Sequence, residues 1–170
     1  NTIKQTGTGT INRAVVLATS AKNNIIENNS ITTVTANSQG IMILGTCSNN
    51  IIRGNSINTT ASTGIYLEDN NHLVELNYIN SSSNTGINLL GNNSIIRKNT
   101  IYTASGYPIQ ISASINNTFI ENYFNYSNAD YRHFWISYPP FTGKNTVLNS
   151  SNGKNTVVWG AGISNTTLEN

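Results

Sequence analysis

Asn50-Ile51-Ile52-Arg53-Gly54-Asn55-Ser56-Ile57 is followed 22 residues later by His72-Leu73-Val74-Glu75-Leu76-Asn77-Tyr78-Ile79, and after the same interval by Ser94-Ile95-Ile96-Arg97-Lys98-Asn99-Thr100-Ile101. An earlier copy, Asn24-Ile25-Ile26-Glu27-Asn28-Asn29-Ser30-Ile31, lies 26 residues before the first. A later, shortened copy reads Phe119-Ile120-Glu121-Asn122-Tyr123-Phe124. A fixed period of this size marks a solenoid, whose repeats bury their apolar faces only against their neighbours.

Around these copies the chain is polar and almost uncharged. Asn, Ser and Thr supply 31, 18 and 21 of the 170 residues, and only 9% are charged. Disorder is excluded because 22 isoleucines recur at fixed places, and a disordered chain lacks such positions. The bias toward Ile, Val, Thr and Tyr favours strands over helices. The length suits one domain, 1–170. No run approaches the roughly 18 apolar residues of a membrane span. The net charge of +2 is spread along the chain, without the basic patch that nucleic acid would need. No signal peptide opens the chain, which starts mid-repeat at Asn1, as a processed chain or a fragment would. The single cysteine, Cys47, excludes an intramolecular disulfide and is expected to be a small buried apolar residue.

Each repeat reads as one coil of two clear strands and a weaker third. The first strand is the Ile-Ile-Glu/Arg stretch. The second follows Asn-x-Ile, as in Ile31-Thr32-Thr33-Val34 and Ile57-Asn58-Thr59. The third follows a glycine: Gly40-Ile41-Met42-Ile43-Leu44, Gly64-Ile65-Tyr66-Leu67, Gly86-Ile87-Asn88-Leu89 and, in the fourth turn, Gly106-Tyr107-Pro108-Ile109-Gln110-Ile111. Alternation within a strand sends one set of side chains inward. The glycine is expected to supply a backbone angle that a Cβ resists. Asn29, Asn55, Asn77, Asn99 and Asn122 recur at the corner between strands, where stacked carboxamides can form a ladder and Asn tolerates the left-handed conformation. Glu27, Arg53, Glu75, Arg97 and Glu121 are read as a second, alternating charge ladder that guards register, since a slipped coil would bring like charges together.

This pattern resembles the right-handed parallel β-helix repeat family, which includes pectate lyases, polygalacturonases, NosD-like periplasmic proteins and many microbial surface proteins. The resemblance covers residues 1–125 through the Asn-x-Ile corner and the Gly-Ile-x-Leu strand. It implies an all-β solenoid of about seven coils. It implies little about function, because this fold hosts enzymes, adhesins and scaffolds.

Beyond Asn125 the rhythm breaks, and 126–143 reads as an insertion or long loop. Its aromatics Tyr131, Phe134, Trp135, Tyr138 and Phe141 either contact sugars or a neighbouring subunit, or pack on the outside of the coil. The rhythm resumes, and Ile163-Ser164-Asn165-Thr166-Thr167-Leu168-Glu169-Asn170 matches Ile115 to Asn122. Joined end to end, Leu168-Glu169-Asn170-Asn1-Thr2-Ile3 matches Ile26-Glu27-Asn28-Asn29-Ser30-Ile31. The expected partner is therefore another copy, stacked head to tail through Asn1, Thr2, Ile3, Thr166, Leu168, Glu169 and Asn170. A longer tandem protein, or a chain cut in mid-coil, explains the same match. Against a continuous seam, Glu169 would stack near Glu27, a like-charge pair.

No enzyme, cofactor or metal site is expected. The acidic pair Glu68-Asp69 lacks the geometry of paired catalytic carboxylates, since neighbours on a strand face opposite ways. The Asn-Thr-Asp, Asp-Asp, Gly-His-Gly and Arg-Ile-Lys signatures of polygalacturonases are missing, as is the calcium-binding aspartate cluster of pectate lyases. His72 and His133 have no partner spacing for a metal and are read as solvated. NosD-like copper handling would call for more His, Met or Cys than one Met and one Cys provide. Eight Asn-x-Ser/Thr triplets, at Asn28, Asn58, Asn80, Asn92, Asn116, Asn125, Asn149 and Asn165, either accept glycans or follow from composition. The leading reading is a self-assembling extracellular or cell-surface structural protein. Its alternatives are a glycan-binding adhesin or fibre module and, further off, a polysaccharide-degrading enzyme.

Overall fold

In a computed structural model the described residues are 1–7, 12–112, 114–126, 134–137, 145–148, 150, 158–160 and 167–169. Short strands run in threes around a common axis. The first coil holds β1 (Thr2–Gln5), β2 (Val15–Leu17) and β3 (Ile25–Glu27), and the second β4 (Ser30–Thr33), β5 (Ile41–Ile43) and β6 (Ile51–Arg53). The third holds β7 (Ser56–Thr59), β8 (Ile65–Leu67) and β9 (Leu73–Glu75), and the fourth β10 (Tyr78–Ser81), β11 (Ile87–Leu89) and β12 (Ile95–Arg97). Next come β13 (Thr100–Thr103), β14 (Ile109–Ser112) and β15 (Thr118–Ile120), then β16 (Tyr123–Tyr126), β17 (Phe134–Ser137) and β18 (Thr146–Leu148). The strands β19 (Val158–Gly160) and β20 (Thr167–Glu169) complete the set.

Each strand pairs in parallel with its equivalents one coil away. Three sheets result, of six, seven and seven strands: β1-β4-β7-β10-β13-β16, β2-β5-β8-β11-β14-β17-β19 and β3-β6-β9-β12-β15-β18-β20. This is the parallel β-helix expected, and the described residues supply six complete coils and two strands of another, against the about seven coils expected. No helix long and apolar enough to cross a membrane occurs among the described residues.

The core is a set of columns parallel to the axis. Ile31, Ile57, Ile79, Ile101 and Phe124 point inward from the first sheet. Ile41 with Ile43, Ile65 with Leu67, Ile87 with Leu89, and Ile109 with Ile111 do so from the second. Ile26, Ile52, Val74, Ile96, Phe119 and Val147 do so from the third. Burying each such side chain contributes roughly 1.5–3 kcal/mol, which sets the frame that the polar positions must fit.

Several local expectations change. Gly40, Gly64 and Gly86 do not have positive φ. A Cβ on Gly64 would instead lie 2.4 Å from Ile79 Cγ2 and 2.7 Å from the Gly86 carbonyl oxygen, so the glycine serves close packing. In the fifth coil Pro108, not Gly106, takes the place beside Gly86, since Ile87 registers with Ile109. The left-handed residue is the one before each ladder Asn: Asn28, Gly54, Leu76, Lys98 and Glu121 have φ of 54°, 63°, 57°, 53° and 51°.

Glu121 is also displaced from the charge ladder. Arg97 registers with Ile120, and Ile120 with Leu148, because the fifth copy is not shortened and its strand begins at Thr118. Glu121 falls beside Lys98 instead, at 3.5 Å. Finally, 126–143 is not an insertion throughout. Tyr126 ends β16, and Phe134–Ser137 forms β17, which continues the second sheet in register with Ile109–Ser112.

Candidate functional site

Where the third sheet turns into the first, only two residues make the corner, and the second is the ladder Asn. The backbone N–H groups of Asn29, Asn55, Asn77 and Asn99 donate to Oδ1 of the Asn one coil on, at 3.0, 2.9, 3.0 and 3.1 Å. The side-chain amides donate to the same oxygens at 3.1, 3.0, 2.9 and 3.0 Å. Nδ2 of Asn55, Asn77, Asn99 and Asn122 also donates to the carbonyls of Ile26, Ile52, Val74 and Ile96. Asn1 extends the column through its Nδ2 to Asn29 Oδ1 at 3.2 Å, and Ser150 accepts from the Asn122 N–H at 3.1 Å. Asn55, Asn77, Asn99 and Asn122 are each 1% exposed, so these bonds satisfy groups that water cannot reach.

A second ladder, not foreseen, flanks the other end of the third sheet. It runs Asn24, Asn50, His72, Ser94, Asn117, Asn145. Each backbone N–H donates to the side chain one coil on: Asn24 to Asn50 Oδ1, Asn50 to His72 Nδ1, His72 to Ser94 Oγ, Ser94 to Asn117 Oδ1 and Asn117 to Asn145 Oδ1, at 2.9, 3.3, 3.1, 2.8 and 3.0 Å. Asn23, Asn49, Asn71, Asn93 and Asn116 precede its rungs in the left-handed conformation. The changing residue type hid this column in the sequence. The recurring Asn before each rung was the available signal.

His72 is therefore not solvated. It is 1% exposed, and its Nε2 has no hydrogen-bond partner. Burial lowers its pKa from the ordinary 6.5, against smaller opposing effects of the Asp69 charge and the Asn50 N–H. His133 lies outside the described residues.

The acidic pair also serves the coil. Glu68 Oε2 accepts from the Gly45 N–H at 3.2 Å, and Asp69 Oδ2 accepts from the Cys47 N–H at 2.8 Å. Both carboxylates thus reach the same corner of the preceding coil, which is not the opposed arrangement expected of strand neighbours. Burial, then the charge of Glu68 and its hydrogen bond, raise the Tyr66 phenol. Cys47 is fully buried and unpaired, and its thiol donates to the Leu44 carbonyl at 3.0 Å.

Among the other sequence-derived residues, Glu27 pairs with Arg53 and Glu75 with Arg97, each at 2.6 Å. Phe134 registers with the buried Ile109, and Trp135 with Gln110 on one side and Trp159 on the other. Tyr131, Tyr138 and Phe141 lie outside the described residues. Thr2 and Ile3 register with Ser30 and Ile31, while Leu168 and Glu169 register with Val147 and Leu148. Thr166 and Asn170 are not described. Asn28, Asn58, Asn116 and Asn125 are exposed and Asn80 and Asn92 half-buried, while Asn149 and Asn165 lie outside the described set.

A family model described as "Periplasmic copper-binding protein (NosD)" matches residues 1–155. No curated protein and no solved structure matches the chain.

Proposed function

The chain belongs to the NosD family, and from that membership and the phase of its coils we propose an extracytoplasmic structural solenoid whose stack continues from one unit into the next. The family's description supports a location outside the cytoplasm. Its copper does not carry over, because the described donors do not fit that metal. Among the described residues no three His, Cys, Asp or Glu side chains converge. The Cys47 thiol is engaged with a carbonyl, and His72 Nδ1 accepts a backbone N–H inside a ladder.

One observation carries the stacking. The last strand, β20, lies in the third sheet, and β1 lies in the first, the sheet that follows the third at every coil boundary. A β20 edge followed by a β1 edge thus repeats the β3-to-β4 step, and Asn1 enters the corner ladder where Asn29 stands. A further coil laid on either end edge would extend the sheets by strand addition, and a contact of this head-to-tail kind gives an open filament. Units joined as separate copies or as tandem segments of one chain satisfy the same geometry. Asn28, Asn58, Asn116 and Asn125 are the places where glycans would leave the stack unobstructed.

The test is sedimentation of the protein beside its Ile3→Asp variant. Ile3 packs against the end of the core, so a carboxylate there is expected to abolish polymers while far-UV circular dichroism stays that of a β-fold. Polymers of unchanged length in that variant would refute end-to-end stacking. A second reading, a glycan-binding module, draws on the adjacent rungs of Trp135 and Trp159. It is favoured if the protein stays discrete and binds polysaccharide.

A further inference from the structure

The third sheet presents two columns on its outer face. Ile25, Ile51, Leu73 and Ile95 register with one another along β3, β6, β9 and β12. Ile25 is 53% and Ile95 42% exposed, and Ile51 and Leu73 are half-buried. Two residues along each strand, Glu27, Arg53, Glu75 and Arg97 form the parallel charged column. The charges pair within the chain as Glu27–Arg53 and Glu75–Arg97. Intramolecular register accounts for their alternation. It does not account for an aliphatic column left in water beside them.

We propose that this face docks on the same face of a second copy, about a two-fold axis that runs parallel to the strands and passes between β6 and β9. Such an axis reverses the order of the rungs and keeps each column opposite itself. Glu27 then faces Arg97 of the second copy, and Arg53 faces Glu75, so all four charges meet opposite charges. In the other column Ile25 faces Ile95 and Ile51 faces Leu73, closing the exposed aliphatics against each other. An axis parallel to the stack does neither. Centred on the charged column it sets Glu27 against Glu27 and Arg53 against Arg53, and centred between the columns it sets aliphatics against charges. The alternation is thus self-complementary in one orientation alone, which is the requirement of an isologous contact. Four rungs about 4.8 Å apart span only about 14 Å, less than the roughly 800 Å² per partner of a standard interface needs. The pairing is accordingly weak and salt-sensitive. It uses the side of the solenoid and is independent of stacking at its ends.

Sedimentation equilibrium in the Ile3→Asp background, where end contacts do not intervene, tests the proposal at high protein concentration in low salt. The unaltered face is expected to give a monomer–dimer equilibrium that dissociates as salt is added. Arg97→Glu sets a carboxylate against Glu27 at both symmetric contacts across the axis and is expected to weaken the dimer at least about tenfold. Adding Glu27→Arg restores every contact across the axis, although the arginine so introduced now clashes with Arg53 within the chain. Recovery of the dimer in that double variant separates docking from intramolecular register, which the double variant only worsens. Ile95→Lys, at an exposed position, gives an arm that does not depend on the charge variants folding, and is expected to yield monomer. A monomer under all conditions, a double variant no tighter than Arg97→Glu, or a dimer indifferent to Ile95→Lys would overturn the proposal.

Discussion

His72 occupies a rung that Asn or Ser fills elsewhere in the same ladder, and its ring changes what the rung can tolerate. Neutral, it accepts the Asn50 N–H through Nδ1, as Asn50 Oδ1 does for Asn24. Protonated, it loses that acceptor and places a charge at a site 1% exposed. Its folded pKa lies below the unfolded 6.5 because burial disfavours the cation, and the charge of Asp69 and the Asn50 N–H offset this only in part. The unfolded chain therefore binds the proton first. The rung's full contribution is present above the unfolded value of 6.5 and is lost as pH falls below it toward the depressed folded value. Urea denaturation across this window should show declining stability in the natural chain. His72→Asn, which supplies an uncharged acceptor, should flatten the profile there, and an unchanged slope would remove His72 from the account.

At the scale of the strand and its corner, close packing replaces backbone freedom as the reason for the recurring glycine. Gly64→Ala forces a Cβ to 2.4 Å from Ile79 Cγ2 and 2.7 Å from a carbonyl oxygen that cannot move without breaking the sheet. Overpacking of this kind costs about 1–3 kcal/mol, and a chemical melt should show it, whereas Gly45→Ala, with no atom nearer than 3.7 Å, meets only its positive φ. The Ile-Ile-Arg strand and the Asn corner were legible because period and residue type coincide there. The left-handed residue was not, because Asn28, Gly54, Leu76, Lys98 and Glu121 share a backbone angle and no chemistry. The His72 rung was missed for the same reason, since a ladder needs only an acceptor at the right height and Asn, His and Ser all provide one. Glu121 was misplaced because its Asn was aligned correctly while the residue Thr118, which completes the strand, was left out of the copy.

Over the whole molecule, successive corner rungs lie 28, 26, 22, 22, 23 and 28 residues apart, so coil length varies while strand register does not. The strands keep their register although the stretches between them differ in length, so β17 holds its place in the second sheet inside the 126–143 stretch that reads as an insertion. The columns of Ile, Asn and paired charge give the solenoid one axial spacing, and the proposed end-to-end stacking would carry that spacing from unit to unit. Electron microscopy of the purified protein, with a power spectrum along the long axis, tests this most directly. Thin fibres with a layer line at about 4.8 Å and a unit repeat near 34 Å, roughly seven rungs, are the expected result. Discrete particles a single unit long, under conditions where the protein is folded and concentrated, would contradict it.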